Sequence, residues 1–253
     1  MELIFLGTGT SQGVPVIACN CSICCSKNPK DQRLRTSVLI RDEHQTIVID
    51  SGPDFRQQLL REHIQSLDAV LFTHEHKDHI AGLDDVRAFN YRYDKAMNVY
   101  CTDAVESALR REFNYVFENQ HYPGVPKINL HSITGEPFKI GSWHITPLPV
   151  MHLNLPVLGF RMGNLSYVTD ANFMSEETKD KIRGSQILIL NALRNEKHPS
   201  HYTLEEAIAL AQELQIPEVY FTHISHQLGL HQEVQASLPS NMQLAYDGLT
   251  LTF

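Results

Sequence analysis

The chain has 253 residues, 42% of them hydrophobic and 20% charged, with 14 histidines and a formal net charge of −8. This is the composition of a soluble globular protein with ample material for a core; its acidic balance argues against a broad basic face that tracks extended nucleic acid. No run approaches the ~20 apolar residues needed to cross a bilayer, so no membrane partner is expected.

The opening "MELIFLGTGT" lacks the positive n-region and long apolar h-region of a secretory signal and reads as a first strand over 2–6. The expected compartment is therefore the cytoplasm, where thiols stay reduced. The glycine-rich "FLGTGTSQGVP" at 5–15 lacks the G-K-[ST] ending of a phosphate-binding P-loop, and on its own is compatible with a tight turn. Next comes "ACNCSICC" at 18–25, which holds four of the five cysteines. An odd number of cysteines, mostly clustered, points to metal rather than a disulfide framework. Cys19, Cys21 and Cys24 have the close spacing of thiolates around one tetrahedral ion, and structural zinc takes a fourth protein ligand. Cys25 is a surplus thiol, and spacing does not decide between it and Cys24.

Strands follow over 37–41, 46–50, 69–73 and 98–101, with helices over 54–63 and 103–112. His44 and His63 lie in polar surroundings and read as surface residues, and Cys101, ending an apolar strand, as an inert core residue. The aromatic stretches at 88–94 and 113–124 suit a pocket mouth, a dimer contact or plain core. The second half supplies strands over 143–148, 157–162, 165–170, 186–190, 218–222 and 248–253, and helices over 175–183 and 203–215. In the last of these Thr203 and Glu206 form a capping box. Strands alternating with helices in both halves indicate α/β layering, and no linker divides the chain, so residues 1–253 read as a single domain.

The most informative stretch is "AVLFTHEHKDHIAG" at 69–82, where an apolar strand runs straight into H-x-H-x-D-H. His74 and His76, two apart on a tight turn, can face one ion; Asp78 and His79 lie where they can serve a second. A polar surface turn is the plain alternative, but three imidazoles and a carboxylate within six residues favour metal.

This stretch resembles the signature of the metallo-β-lactamase superfamily, and the match spans essentially the whole chain. The resemblance implies a four-layer αββα sandwich, two mixed β-sheets flanked by helices. It also implies further ligands in order at strand ends: His152, Asp170 and His223. One metal would take His74, His76 and His152, the other Asp78, His79 and His223, with Asp170 shared between them. Asp50, in "IVIDSG", would support the site from behind the ligands. Two divalent ions, zinc or manganese (iron also suits such donors), acidify a water between them, so hydrolysis is the implied reaction.

Within the superfamily, "FLGTGTSQGVP" looks like the opening of the phosphodiesterase branch that includes tRNase Z and the PhnP-like phosphodiesterases. "HPSHYTLEEA" at 198–207 resembles the same branch, with His201 just before a helix; carried over, it would contact the phosphate and protonate the leaving oxygen, while His198 decorates the loop. Asp78 would share the catalytic work as a ligand. In "FTHISHQ", His226 matches the position that completes a separate structural zinc site with Cys19, Cys21 and Cys24, a clasp on the loop at about 16–30. The resemblance then implies a phosphodiesterase acting on small cyclic phosphates of ribose or nucleotides, and a homodimer. Two other readings stand beside it. One is a tRNA 3′-processing nuclease, against which weighs the absence of a Gly/Pro-rich basic arm. The other is a non-catalytic zinc-stabilised binding module of the same fold.

Overall fold

The computed structural model describes residues 1–118 and 124–253. In chain order its first half runs β1 (Glu2–Gly7), β2 (Ser37–Arg41), β3 (Thr46–Ile49), α1 (Phe55–Arg61), β4 (Ala69–Leu71), α2 (Lys77–Ile80), α3 (Arg87–Tyr93), β5 (Met97–Cys101), α4 (Asp103–Glu112), α5 (Asn114–Phe117) and β6 (Ile128–Ser132). The second half runs β7 (Phe138–Ile140), β8 (Trp143–His152), β9 (Leu155–Met162), β10 (Leu165–Val168), β11 (Phe173–Met174), α6 (Glu176–Ile182), β12 (Ile187–Asn191), α7 (Leu204–Glu213), β13 (Glu218–Thr222), α8 (His231–Ser237), β14 (Met242–Leu244) and β15 (Thr250–Thr252).

Among the described residues, the strands form two mixed sheets. The first has the order β15-β1-β2-β3-β4-β5-β6; the second runs β11-β8-β9-β10-β12-β13-β14, with β7 paired to β8. Strand alternation explains the layering, because successive side chains point to opposite faces. On β1, Leu3 and Phe5 enter the core between the sheets, where they join Ile47, Ile49, Phe160, Tyr167 and Ile189. Ile4 and Leu6 on the same strand turn outward, to a core closed by Phe55 and Leu59 of α1 and Val105 and Leu109 of α4. On the far side Leu188 and Leu190 of β12 pack under Ile182 of α6 and Ala207 and Leu210 of α7. Both sheets are thus buried on both faces, in the order helix, sheet, sheet, helix. The fold is the four-layer αββα sandwich.

Strands β3, β4 and β5 are parallel, as are β10, β12 and β13. Strand β8 is antiparallel to β9, which is antiparallel to β10, so β8 and β10 point the same way. The carboxyl ends of β8, β10 and β13 therefore lie along one edge of their sheet, as do those of β3 and β4 in the other. No helix among the described residues is long and apolar enough to cross a membrane.

The α7 capping box forms as the sequence indicates, with Thr203 Oγ1 accepting from Glu206 N (3.1 Å) and Glu206 Oε2 from Thr203 N (2.9 Å). The stretch at 88–94 lies mostly on α3, where Tyr91 and Tyr93 are exposed. Part of the second aromatic stretch, 119–123, lies outside the described residues. Cys101 is fully buried, and burial pushes its thiol up to about 12, so it is inert core.

Candidate metal centre

Three of the expected site residues take a left-handed backbone one or two residues after a strand: Asp50 after β3 (φ 65°), Asp170 after β10 (φ 54°) and His223 after β13 (φ 55°). Such conformations are uncommon outside glycine and persist where the surroundings enforce them. Each turns the chain sharply at the sheet edge and aims a side chain along the rim. The strands at 46–50 and 165–170 accordingly end earlier than their apolar patterns suggest, at Ile49 and Val168. His152 is the last residue of β8, and His74 follows β4.

The second anchor is the packing of the segment 50–52 on α2. Ser51 N donates to the His79 carbonyl and Gly82 N to the Ser51 carbonyl, both at 2.8 Å. A side chain at Gly52 would run into the Asp78 carbonyl, so glycine is required where the two segments touch. This fixes Asp78 and His79 relative to Asp50. His79 Nδ1 lies 2.7 Å from Asp50 Oδ2, and the same carboxylate accepts from Thr73 N (2.9 Å) and Thr73 Oγ1 (2.8 Å). Asp50 thus sets the His79 tautomer and leaves Nε2 facing the centre of the site.

The other rings are oriented in the same manner. His152 Nδ1 donates to the Ser200 carbonyl (2.8 Å), and His74 Nδ1 is 2.9 Å from Thr73 Oγ1. His74 Nε2 and His76 Nδ1 approach to 3.0 Å. Two imidazoles on one tetrahedral ion, with bonds of about 2.0–2.1 Å, hold their nitrogens about 3.3 Å apart, close to this spacing. His152 lies beside both, with ring centroids 5.8 and 5.2 Å away.

Ligand atoms of Asp78, His79, Asp170 and His223 all fall within 4.8 Å of one another, as do those of His152, Asp170 and His201. Asp170 belongs to both groups. Two buried nitrogens in the first group, His79 Nε2 and His223 Nδ1, have no hydrogen-bond partner. Both nonetheless lie close to Asp170 Oδ2, at 3.3 and 3.1 Å. Orphaned nitrogens converging with carboxylate oxygens in a dry site are the donor set of a divalent cation. The electrostatics agree. Burial opposes a charged His79 ring, yet Asp170, Asp78 and Asp50 together push its pKa well above the usual range, so the pocket is strongly anionic. Burial lowers His74 far below its usual value and brings His152 to about 4, leaving both as the neutral imidazoles that metals bind.

His201 stands at the edge of this cluster. Its Nε2 is 3.1 Å from Asp170 Oδ1, and its Nδ1 is 3.1 Å from both Ser200 Oγ and His198 Nδ1. Burial is the main cause that lowers its pKa, against the pull of Asp170. His198, expected to decorate the loop, instead packs on His201 with ring centroids 4.9 Å apart. Ser200 and Thr73 were also missed as orienting groups, since a serine or threonine beside a histidine carries no pattern of its own. Asn191 was missed too. Its amide bonds both backbone groups of Ala171 (2.8 and 2.9 Å) and so pins the chain just after Asp170.

The second centre is separate. Sγ of Cys19, Cys21 and Cys24 lies 3.5, 3.3 and 3.4 Å from His226 Nδ1. A tetrahedral zinc with bonds of about 2.3 Å to sulfur and 2.0 Å to nitrogen places those atoms about 3.5 Å apart. This is a Cys3His structural metal site, and Cys25 is exposed and outside it. A hydrogen bond from the Cys24 backbone, then His226, lower the Cys21 thiol to about 6, toward the thiolate that zinc needs, while burial pushes the Cys24 thiol up to about 11. The site is tied to the first by a short bridge: Ile224 N donates to Thr8 O (2.8 Å) and Thr10 N to Ile224 O (3.1 Å), between His223 and His226.

The beta-lactamase superfamily domain matches this chain over residues 45–224. The octanoyltransferase of Porphyromonas gingivalis is 42% identical over 98% of the chain, which spans about half (51%) of that protein's length. The ribonuclease Z of Methanopyrus kandleri is 24% identical over 87% of this chain and 92% of its own. The crystal structure of a diphosphatase from the PhnP family superposes with a TM-score of 0.93 at 39% identity, covering 100% of this chain and 97% of that one. With the αββα layers and the two donor clusters, these matches establish that the chain belongs to the metallo-β-lactamase superfamily and, within it, to the PhnP family.

Proposed function

We propose that the protein is a metal-dependent hydrolase of small phosphodiesters, cyclic phosphates of ribose or of nucleotides being the main class. The observation that carries this reading is His201 Nε2, buried and 3.1 Å from the carboxylate common to both ligand groups. In this reading His74, His76, His152 and Asp170 hold one divalent ion, and Asp78, His79, Asp170 and His223 the other. Zinc or manganese in these positions would supply an acidified water and neutralise charge on the phosphoryl oxygens. Asp50 keeps His79 in its ligating tautomer, and the Ser200 carbonyl does the same for His152. His201 delivers a proton to the departing oxygen, which a poor alkoxide leaving group requires. Its Nδ1 is steadied by Ser200 and His198.

A second reading is favoured by a specific finding, the 39% identity to a diphosphatase. A phosphoanhydride expels phosphate, a good leaving group, and would depend far less on His201. The two are separated by a screen of 2′,3′-cyclic nucleotides, ribose cyclic phosphates, nucleoside diphosphates and pre-tRNA, with zinc- or manganese-loaded protein. Turnover confined to diphosphates replaces the first reading with the second. Cleavage of pre-tRNA with a steep salt dependence of binding would instead favour the nuclease reading, which the net charge of −8 weighs against. About three ions per chain supports an enzyme; one, at the cysteines, supports a binding module. The same reading takes residues 1–253 as one domain, cytoplasmic and with reduced thiols, acting as a homodimer that sedimentation would test.

A further inference from the structure

A cleft opens beside the metal centre. On the side of His76 and His152 its wall is the tip of the β8–β9 hairpin, and the cleft of about 420 Å³ there is lined by His76, His152, Leu153, Asn154, Leu155 and Ser200. That volume is within the range of small-ligand sites. Leu153 is the unusual member. His152 pairs with Leu155, so Leu153 and Asn154 form a two-residue turn, and Leu153 has φ 57°. A positive φ at the first central position of such a turn is a place for glycine, and for a branched side chain it is strained.

The strain is held by neighbours rather than relieved. Leu153 N donates to Asn172 Oδ1 (2.7 Å), and Asn172 Nδ2 donates to the Pro199 carbonyl (3.0 Å) in the loop that leads to Ser200 and His201. The strained residue does not fill the core: Leu153 is 54% exposed, an apolar side chain standing in water next to a metal-site histidine. Strain kept at the mouth of a site, with nothing gained in packing, marks a side chain presented to a ligand.

Resting on the phosphoester reading, we infer that the Leu153–Leu155 hairpin tip is a subsite for the nucleobase of the substrate, so the enzyme selects nucleotides over bare sugar phosphates. Leu153 and Leu155 offer an apolar shelf for a flat ring. Asn154, exposed in the same cleft, carries the amide that meets a base edge.

The test measures binding and turnover separately. Calorimetry on zinc-loaded protein compares adenosine 5′-monophosphate with ribose 5-phosphate, for the wild type, Leu153→Gly and Leu153→Asn. Both substitutions suit a positive φ, so the turn is preserved. The nucleotide should bind about tenfold more tightly than the sugar phosphate in the wild type, and about equally in the variants, with sugar phosphate affinity unchanged. In turnover, Leu153→Gly should raise KM for adenosine 2′,3′-cyclic monophosphate by about tenfold and leave kcat, and all parameters for a ribose cyclic phosphate, as they were. Equal wild-type affinities, or equal losses on both ligands, would overturn the subsite; the latter would mean that His152 had been disturbed. If neither ester is hydrolysed while the binding preference holds, the phosphoester reading fails and the subsite stands.

Discussion

His76 and His201 sit on the same rim, yet their removal should have different consequences. His76 is the exposed N-cap of α2 and makes no side-chain capping bond, so the fold does not depend on it. His76→Ala should lower hydrolysis by a factor of at least about a thousand, while circular dichroism and the melting temperature stay near wild type; an unfolded variant would show that this ring is structural. His201→Ala should lower turnover by about 10²–10⁴ on substrates with poor leaving groups, and far less on activated aryl phosphodiesters. Equal losses on both would remove its role as proton donor. At this scale the sequence was legible where chemistry is dense, as in His74, His76, Asp78 and His79. It was silent where chemistry is shared with the backbone. Nothing in the order of residues indicates that Ser200 would fix His152 through its carbonyl, or that His198 would lie against His201, because both relations arise from the path of a loop.

Elements were legible in proportion to their length and burial. The long apolar runs of β1, β2, β12 and β13, and the periodic α4 and α7, were all expected close to their observed limits. The edge strands β6 and β14 were not, whereas the edge strand β15 lies within the expected 248–253. β6 reads "INLHS" and is only partly buried, and β14 is three residues long, so neither shows a clear alternation. The helices α2, α3 and α8, of four to seven residues, likewise carry no complete apolar stripe. The cysteine loop is the opposite case: it has almost no regular structure, yet its spacing alone signalled a metal. Cys21→Ser should lose one zinc per chain by metal analysis and open the loop at about 16–30 to limited proteolysis. Retention of that ion would point to Cys25 as a substitute ligand.

Across the whole molecule, the cysteine loop, the end of β1 and the C-terminal segment meet at a buried guanidinium. Arg33 donates to Thr8 Oγ1 (2.8 Å) and to the Ala245 carbonyl (2.6 Å), and its Nη2 is 3.2 Å from His231 Nδ1. A guanidinium can only donate, so that nitrogen must carry a lone pair and the ring must be neutral. Burial, reinforced by Arg33 and Lys30, brings His231 down to about 4. The unfolded chain takes up this proton near pH 6.5 and the folded one near pH 4, so folding stability should fall as pH drops through that window. Urea midpoints measured from pH 7 to pH 4.5 should show a shallower decline for His231→Gln than for the wild type. Identical slopes would place the acid sensitivity elsewhere. None of this was legible beforehand, since Arg33 and His231 are separated by 198 positions.

The clasp has a further consequence, for the denatured chain. Cys24 and His226 are separated by 202 positions, so a zinc that joins them closes one ring through most of the polypeptide. By the arithmetic used for cross-links, shrinking the disordered ensemble in this way is worth about 5 kcal/mol. The ion therefore acts late in the biography of each molecule: once the last of the three thiols has been made, 202 further positions must be translated before their fourth partner exists.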